Sequence, residues 1–340
     1  MQGFQVIDAD AHLPQHPHDD DVRPHMEKQG DALEPVLPSL GWDPSDYGRL
    51  PADTWSLEAR LRAMDKEGID LSVLFPTRGL VVNLVPDDNL ARHYCRGYNS
   101  YAASVCKQSP RLKAVAIVPF NDVSAAVAEV KRSVTELGLA GVVLSSLGLR
   151  EHVGSSTYWP IYEEIEKLNV PLLVHNSYGG PGNDRRADTF LFQETVGSPL
   201  ETLLACVGLM YGGIPEKFRQ LRVAFMGVGI GWLPFYLERM NKDVESDIVT
   251  RGAASIPLLQ ASPGEYISRG NWYFTARSNE RMLPYVVKTV GADKILFGSS
   301  YPDLDALFPE SVSTLRERKD VSDEAKKRIL YENAKVLFGF

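Results

Sequence analysis

Residues 4–18 read FQVIDADAHLPQHPH. The first five form a short apolar run of the kind that makes a buried strand. Acid and imidazole follow at once, as Asp8, Asp10, His12, His16 and His18. In a doubly wound open sheet an early strand opens into a Gly-rich turn that cradles a phosphate. An acidic, His-bearing turn would repel one. The stretch therefore favours the other way of alternating strands and helices, a (β/α)8 barrel, provided that seven more strands of the same kind follow.

They do follow. FQVID (4–8) is succeeded by DLSVLF (70–75), KAVAIVP (113–119), AGVVLS (140–145), PLLVH (171–175), RVAFMG (222–227), WYFT (272–275) and KILFGS (294–299). Several are apolar throughout rather than alternating, as parallel strands buried on both faces are. Helical patterns separate most of them. SLEARLRAMDKEG (56–68) starts with a Ser cap and ends at a Gly, and similar amphipathic stretches cover 87–108, 122–138, 158–169, 231–243, 279–291 and 322–340. The expected architecture is α/β, a (β/α)8 TIM barrel forming a single domain over residues 1–340. Long βα loops are expected after strands 1 and 5, at 13–55 and 176–195. Both leave the C-terminal ends of strands, where barrels build active sites, so both read as pocket walls or lids.

Composition narrows the partners. The 340 residues carry a formal net charge of -8, with 44% hydrophobic and 24% charged residues. No Lys/Arg-rich run is present, so neither nucleic acid nor a membrane surface is expected as a partner. No apolar run approaches the roughly 18 residues of a membrane span. MQGFQVIDAD lacks the basic start and apolar core of a signal peptide. Cys95, Cys106 and Cys206 are an odd, widely spaced set in helical segments, expected to be small buried hydrophobes in a reducing cytoplasm.

The chemistry concentrates at strand ends. Asp10 and His12 are two residues apart at the end of the first strand, so both point to the same face, the barrel interior. A carboxylate and an imidazole there suit Zn, Fe, Mn or Co. They also suit a metal-free pair in which the carboxylate orients the histidine. His175 ends PLLVH and would reach the same face, completing two histidines and one carboxylate, a set compatible with one metal that keeps open positions.

At this point the chain resembles amidohydrolase-related proteins of the 2-amino-3-carboxymuconate-6-semialdehyde decarboxylase type, within the metal-dependent hydrolase superfamily. The likeness runs through VIDADAH (6–12), VLFPTRGL (73–80), YNSYAASVC (98–106), RLKAVAIVPFND (111–122), LNVPLLVHNSYGG (168–180), FRQLRVAFMGVGIGWLPFYLERMN (218–241) and KILFGSSYPDLDALFPES (294–311). It implies the barrel already derived, with one divalent metal at its C-terminal mouth. It maps the first-strand pair onto Asp10 and His12, and the fifth-strand histidine onto His175. Zn stands first among the metals, Fe or Mn behind it, and loss of the metal is allowed for. A homodimer is compatible with the family.

The departures from that pattern are specific. Relatives usually place Glu or His where this chain has Gly227, and an aspartate, both ligand and general base, where it has Ser300. Many carry His at Asp303, and a glutamate is common at Gln15. Glycine offers no ligand, and a serine hydroxyl is a poor base without a partner. With Ser300 kept among the catalytic candidates, the acid/base role would pass to Asp303 or to Glu194, with Asp305 also in reach. His16, His18 and His25 are alternative ligands, although beside Asp19, Asp20 and Asp21 they read better as a solvated loop. Arg78, Asn176, Tyr178, Arg277 and Tyr301 are the substrate-binding candidates, the arginines because their planar fork binds a carboxylate with two hydrogen bonds. Trp232 reads as packing for the helix after strand six.

Other catalytic templates are missing: no G-x-S-x-G, Walker loop, C-x-x-C or H-E-x-x-H occurs. GVGIG (227–231) resembles a phosphate loop in composition only. The function expected first is metal-dependent decarboxylation or hydrolysis of a small carboxylate-bearing substrate. Behind it stand non-heme-iron oxidative or metal-free acid/base chemistry on the same barrel, and then a non-catalytic ligand-binding relative.

Overall fold

Seven of the eight apolar runs form one strand each, and the third is split. In the computed structural model, residues 4–13, 21–26, 56–175, 190–246, 259–303 and 306–340 are described, apart from the side chains of residues 190, 193, 194 and 198. The strands are β1 (Ile7–His12), β2 (Leu71–Phe75), β3 in two halves (Leu112–Ala114 and Ala116–Ile117), β4 (Val142–Leu144), β5 (Leu172–His175), β6 (Val223–Met226), β7 (Trp272–Ala276) and β8 (Ile295–Phe297). Every pairing between neighbours is parallel.

The split in β3 is where the chain changes partners. Val115 donates to Leu74 O at 3.2 Å on one side, and Ala116 donates to Gly141 O at 2.8 Å on the other. Closure comes just past β8. Ser300 N donates to Asp10 O at 2.8 Å and His12 N to Tyr301 O at 2.9 Å, which returns the last strand to the first. The sequence expectation of an eight-stranded α/β barrel stands, and it puts β1, β5 and β8 around one mouth.

Helices seal the outside. The helix Leu57–Glu67 has Ser56 as its N-cap, accepting from Ala59 N at 3.1 Å, and turns Ala59, Arg60, Ala63, Met64 and Glu67 inward. The helix Asp88–Cys106 solves a local problem of the barrel wall. Ile117 pairs with β4 on one side, but past the end of β2 its N–H and C=O have no strand partner on the other. The Asn99 side chain takes both groups, accepting from Ile117 N at 3.0 Å and donating to Ile117 O at 2.9 Å. The same amide donates to the buried Glu129 carboxylate at 2.7 Å. Asn99→Leu, which leaves Ile117 N and O without their partner and takes one of several hydrogen bonds from Glu129, is expected to cost about 3 kcal/mol, read as a lowered urea midpoint with unchanged slope.

Cys95 and Cys206 are buried and Cys106 half-buried, all free thiols on helices. Burial pushes Cys106 up to about 11 and Cys206 further, so these thiols are inert packing groups. Among the described residues no helix is long and apolar enough to cross a membrane.

Candidate metal centre

The first strand does not alternate evenly. Ile7 and Asp8 pair with Leu71 and Ser72, but the next pairs are Ala11 with Leu74 and His12 with Phe75. Three steps on β1 match two on β2, a one-residue bulge. It sends Asp8 and Asp10 to opposite faces although they are two residues apart. Asp8 shares a small cavity with Ser72 and with Arg60, Ala63, Met64 and Glu67 of the outer helix. Past the bulge normal alternation resumes, so Asp10 and His12 both enter the barrel. Asp10 fits there because residue 298 is glycine: a Cβ on it would lie 2.6 Å from the Cβ of Asp10.

His175, at the end of β5, meets them. Its Nε2 lies 3.2 Å from Asp10 Oδ1, and its ring stands edge-on to that of His12, with centroids 5.2 Å apart and planes at 84°. The three side chains are 1–3% exposed, and one ligand atom from each lies within 4.8 Å of the others. Burial alone would raise the Asp10 carboxyl. The His175 charge and hydrogen bond, with His12 and Arg277 behind them, outweigh burial and hold it below the usual range.

His12 supplies the test of whether this donor set fits a metal. Its Nδ1 faces the Pro76 carbonyl oxygen at 3.3 Å, an acceptor that requires the proton on Nδ1. The neutral ring then presents a bare lone pair at Nε2. That atom is fully buried and makes no hydrogen bond; Asp303 Oδ2 stands 3.4 Å away. A buried lone pair without a donor, beside a carboxylate and a second imidazole, suits a divalent cation.

The other residues singled out from sequence are distributed as follows. Ser300 is buried, with φ 54°, a backbone region that side-chain-bearing residues seldom adopt. Its amide serves Asp10, as described above. Gly227 sits at φ 81°, so a liganding side chain there would be strained. Arg277 leans over this glycine, its Nη2 3.4 Å from Gly227 O. Arg78 starts the 3-10 helix Arg78–Leu84 at the mouth side of β2. The Tyr301 ring packs on the Arg60 guanidinium at 4.5 Å and against Phe308 at 4.7 Å. The His25 ring packs against Tyr101 at 5.9 Å. Glu194 belongs to the π-helical turn Gln193–Gly197. Its side chain, and residues Gln15, His16, His18, Asn176, Tyr178 and Asp305, lie outside what is described.

The turn after β6 behaves as expected from its residues. Trp232 packs its ring near Phe274 at 5.9 Å and donates to Gly229 O at 2.9 Å. The GVGIG turn holds an internal anion: Glu280 accepts from Ile230 N at 2.9 Å, Gly231 N at 3.2 Å and Arg277 N at 2.7 Å.

Sequence reading named Asp8 without giving it a role, and missed Arg60, Pro76 and Ser299. Asp8 accepts from Ser299 N at 2.9 Å and Ser299 Oγ at 2.5 Å, and burial pushes its carboxyl up to about 7 against those bonds. Burial also brings the Arg60 guanidinium down to about 10, with Asp8 the largest opposing influence. One signal for Arg60 was available. It shares the helix face of Ala59, Ala63 and Met64, where an arginine is out of place unless it has buried partners.

A parallel barrel with a buried Asp-His-His cluster at the C-terminal ends of β1 and β5 defines the class of barrel built to hold a catalytic cation at its mouth. Within that class this chain belongs to the amidohydrolase family, whose model matches residues 7–340. It is 25% identical over 295 residues to 2-amino-3-carboxymuconate-6-semialdehyde decarboxylase of Dictyostelium discoideum, covering 86% of this chain and 79% of that one. It is 25% identical over 320 residues to gamma-resorcylate decarboxylase of a Polaromonas species, covering 90% and 94%. The crystal structure of 5-carboxyvanillate decarboxylase from Novosphingobium aromaticivorans, a single-residue mutant with bound manganese and 3-methoxy-4-hydroxy-5-nitrobenzoic acid, superposes with a TM-score of 0.82. That match covers 100% of this chain and 98% of the other, at 20% identity.

Proposed function

We propose that this chain is a metal-dependent decarboxylase of a small carboxylated aromatic or unsaturated acid, in which Asp10, His12 and His175 hold one divalent ion. The observation that carries the reading is the orphaned, buried Nε2 of His12, placed among Asp10, His175 and Asp303. Bound there, the ion supplies Lewis acidity toward substrate oxygen. One carboxylate and two imidazoles accept Zn, Fe and Mn alike; the manganese in 5-carboxyvanillate decarboxylase makes Mn, rather than Zn, the ion to try first.

Decarboxylation breaks one C–C bond, releases carbon dioxide and forms a C–H bond at the same carbon. The protein must therefore deliver a proton to that carbon. Asp303, 12% exposed and 3.4 Å from His12 Nε2, is the acid in position to do so. Hydrolysis would instead need a base to strip a water; Ser300 is a poor one, and the two curated relatives named above are decarboxylases. That contrast favours decarboxylation. Arg277, half-buried and close enough for its charge to act on Asp10, anchors an anionic group of the substrate.

The experiment is a carbon dioxide release assay on protein loaded in turn with Mn, Zn, Fe and Co, against a panel including 2,6-dihydroxybenzoate and 5-carboxyvanillate. Product formed with loss of one carboxylate per turnover supports the reading. Turnover only with iron and dioxygen would reassign it to oxidation, and no turnover of any carboxylated phenol would reject it. Hydrogen bonds to charged groups are worth about 1.5–3 kcal/mol. Arg277→Met is therefore expected to raise KM by about ten- to a hundredfold, with a smaller effect on kcat.

A further inference from the structure

We propose that Arg60 is a positioning residue for the metal centre: from behind the barrel wall, its guanidinium fixes the peptide of His12 and with it the imidazole. The inference rests on Asp10, His12 and His175 being the ligand set proposed above.

The reason lies in a missing donor. Between β1 and the segment after β8, Ser300 N donates to Asp10 O at 2.8 Å and His12 N donates to Tyr301 O at 2.9 Å. The carbonyl of His12 is the next acceptor along this seam. Pro302 has no N–H to give it, and the N–H of Asp303 is turned back to Ser300 O at 2.7 Å. Arg60, 2% exposed on the helix Leu57–Glu67, fills the gap. Its Nη2 donates to His12 O and, at 2.9 Å, to Tyr301 O.

One guanidinium nitrogen thus bridges the two strands that close the barrel, at the residue that carries a ligand. The group packs over the Tyr301 ring at 4.5 Å, and the buried carboxylate of Asp8, itself fixed by Ser299, lies in the same cavity. With His12 N, O and Nδ1 bonded to Tyr301, Arg60 and Pro76, the only polar atom of the residue left without a hydrogen bond is Nε2, which faces the cluster. A lysine keeps the positive charge beside Asp8. It lacks the flat guanidinium that packs on the Tyr301 ring while its Nη2 reaches both carbonyls.

Mn²⁺ affinity tests this without a substrate, by electron paramagnetic resonance of the free ion. Groups that orient a liganding histidine are worth about ten- to a hundredfold in metal affinity, so Arg60→Lys is expected to raise the Mn²⁺ Kd by about tenfold or more. Arg60→Met/Asp8→Asn, which removes both buried charges together and so leaves neither unpaired, is expected to do the same. Ile165→Ala, a core cavity in the helix Trp159–Lys167, should lower the melting temperature and leave Kd unchanged. Added to His12→Ala, Arg60→Lys should weaken binding no further, because its effect runs through that imidazole. Arg60 variants that bind Mn²⁺ within about twofold of the native protein, or whose effect adds in full to that of His12→Ala, would overturn the inference. Native affinity in His12→Ala alone would reject the ligand set first, and this inference with it.

Discussion

His175→Ala is expected to abolish metal retention and to lower kcat/KM by about a thousandfold. The size follows from what the ion contributes. Lewis-acid stabilisation is worth several kcal/mol in the transition state, and each 1.4 kcal/mol or so is a factor of ten in rate. The substitution also strips Asp10 of the imidazole 3.2 Å from its Oδ1, the strongest of the influences that keep this buried carboxylate charged. Both losses act on the same site, so His12 and a poorly ionised Asp10 cannot make up a ligand set. The check is plasma mass spectrometry of the purified variant beside the native protein, with melting curves at rising Mn²⁺. A native protein that binds the ion gains about 2.7 kcal/mol at a hundredfold excess over Kd, so its melting temperature climbs. That of His175→Ala should stay flat. One equivalent of metal retained in the variant would place the ion elsewhere.

That the Asp10, His12 and His175 cluster could be read from the sequence, and the partners of Arg60 could not, has a physical basis. Strand ends in a barrel are fixed by local pattern: PLLVH and VIDADAH each finish an apolar run, and the topology brings such ends together whatever the intervening chain does. Asp303 was legible for a similar reason, being three residues beyond Ser300. Arg60 reaches His12 across 48 residues and Tyr301 across 241, and no periodicity encodes such a pairing. The bulge in β1 was hidden as well. IDADAH reads as even alternation, and the extra step appears only when Asp8 and Ala11 are matched to Ser72 and Leu74. The split of KAVAIVP reflects a change of neighbours at Val115, again a tertiary event. The GVGIG turn needed Glu280, fifty residues on, to show that its amides were already satisfied.

Two of the departures from the family pattern, Gly227 and Ser300, have a shared character in the structure. At Gly227 and Ser300 the backbone takes positive φ angles of 81° and 54°, and both amides are committed, Gly227 N to Thr275 Oγ1 at 3.1 Å and Ser300 N to Asp10 O. These positions shape the floor of the site through main chain. The carboxylate nearest this floor is that of Asp303, three residues beyond Ser300 and 3.4 Å from His12 Nε2, with Arg277 at the end of the neighbouring strand β7. The Ser300 amide holds the Asp10 carbonyl while the Ser300 carbonyl accepts from Asp303 N at 2.7 Å, so this turn links β1 to Asp303.

Asp303→Asn is accordingly expected to lower kcat by about a hundred- to ten-thousandfold, the usual worth of a positioned acid or base, with metal content unchanged. The amide is close to the carboxylate in shape and can keep Asp303 N on Ser300 O, so the turn and the Arg60 contacts are preserved. What it cannot do is give up a proton and take it back. KM should move little, because the proposal gives the anionic group of the substrate to Arg277, at the end of the neighbouring strand β7. Asp303→Glu should recover part of the rate if the longer arm reaches the same carbon. In deuterated solvent the native enzyme should place one deuterium at the carbon that loses its carboxylate. An Asp303→Asn enzyme that turns over at the native rate with one bound metal would move the proton delivery to another group, with Glu194 the next carboxylate to replace.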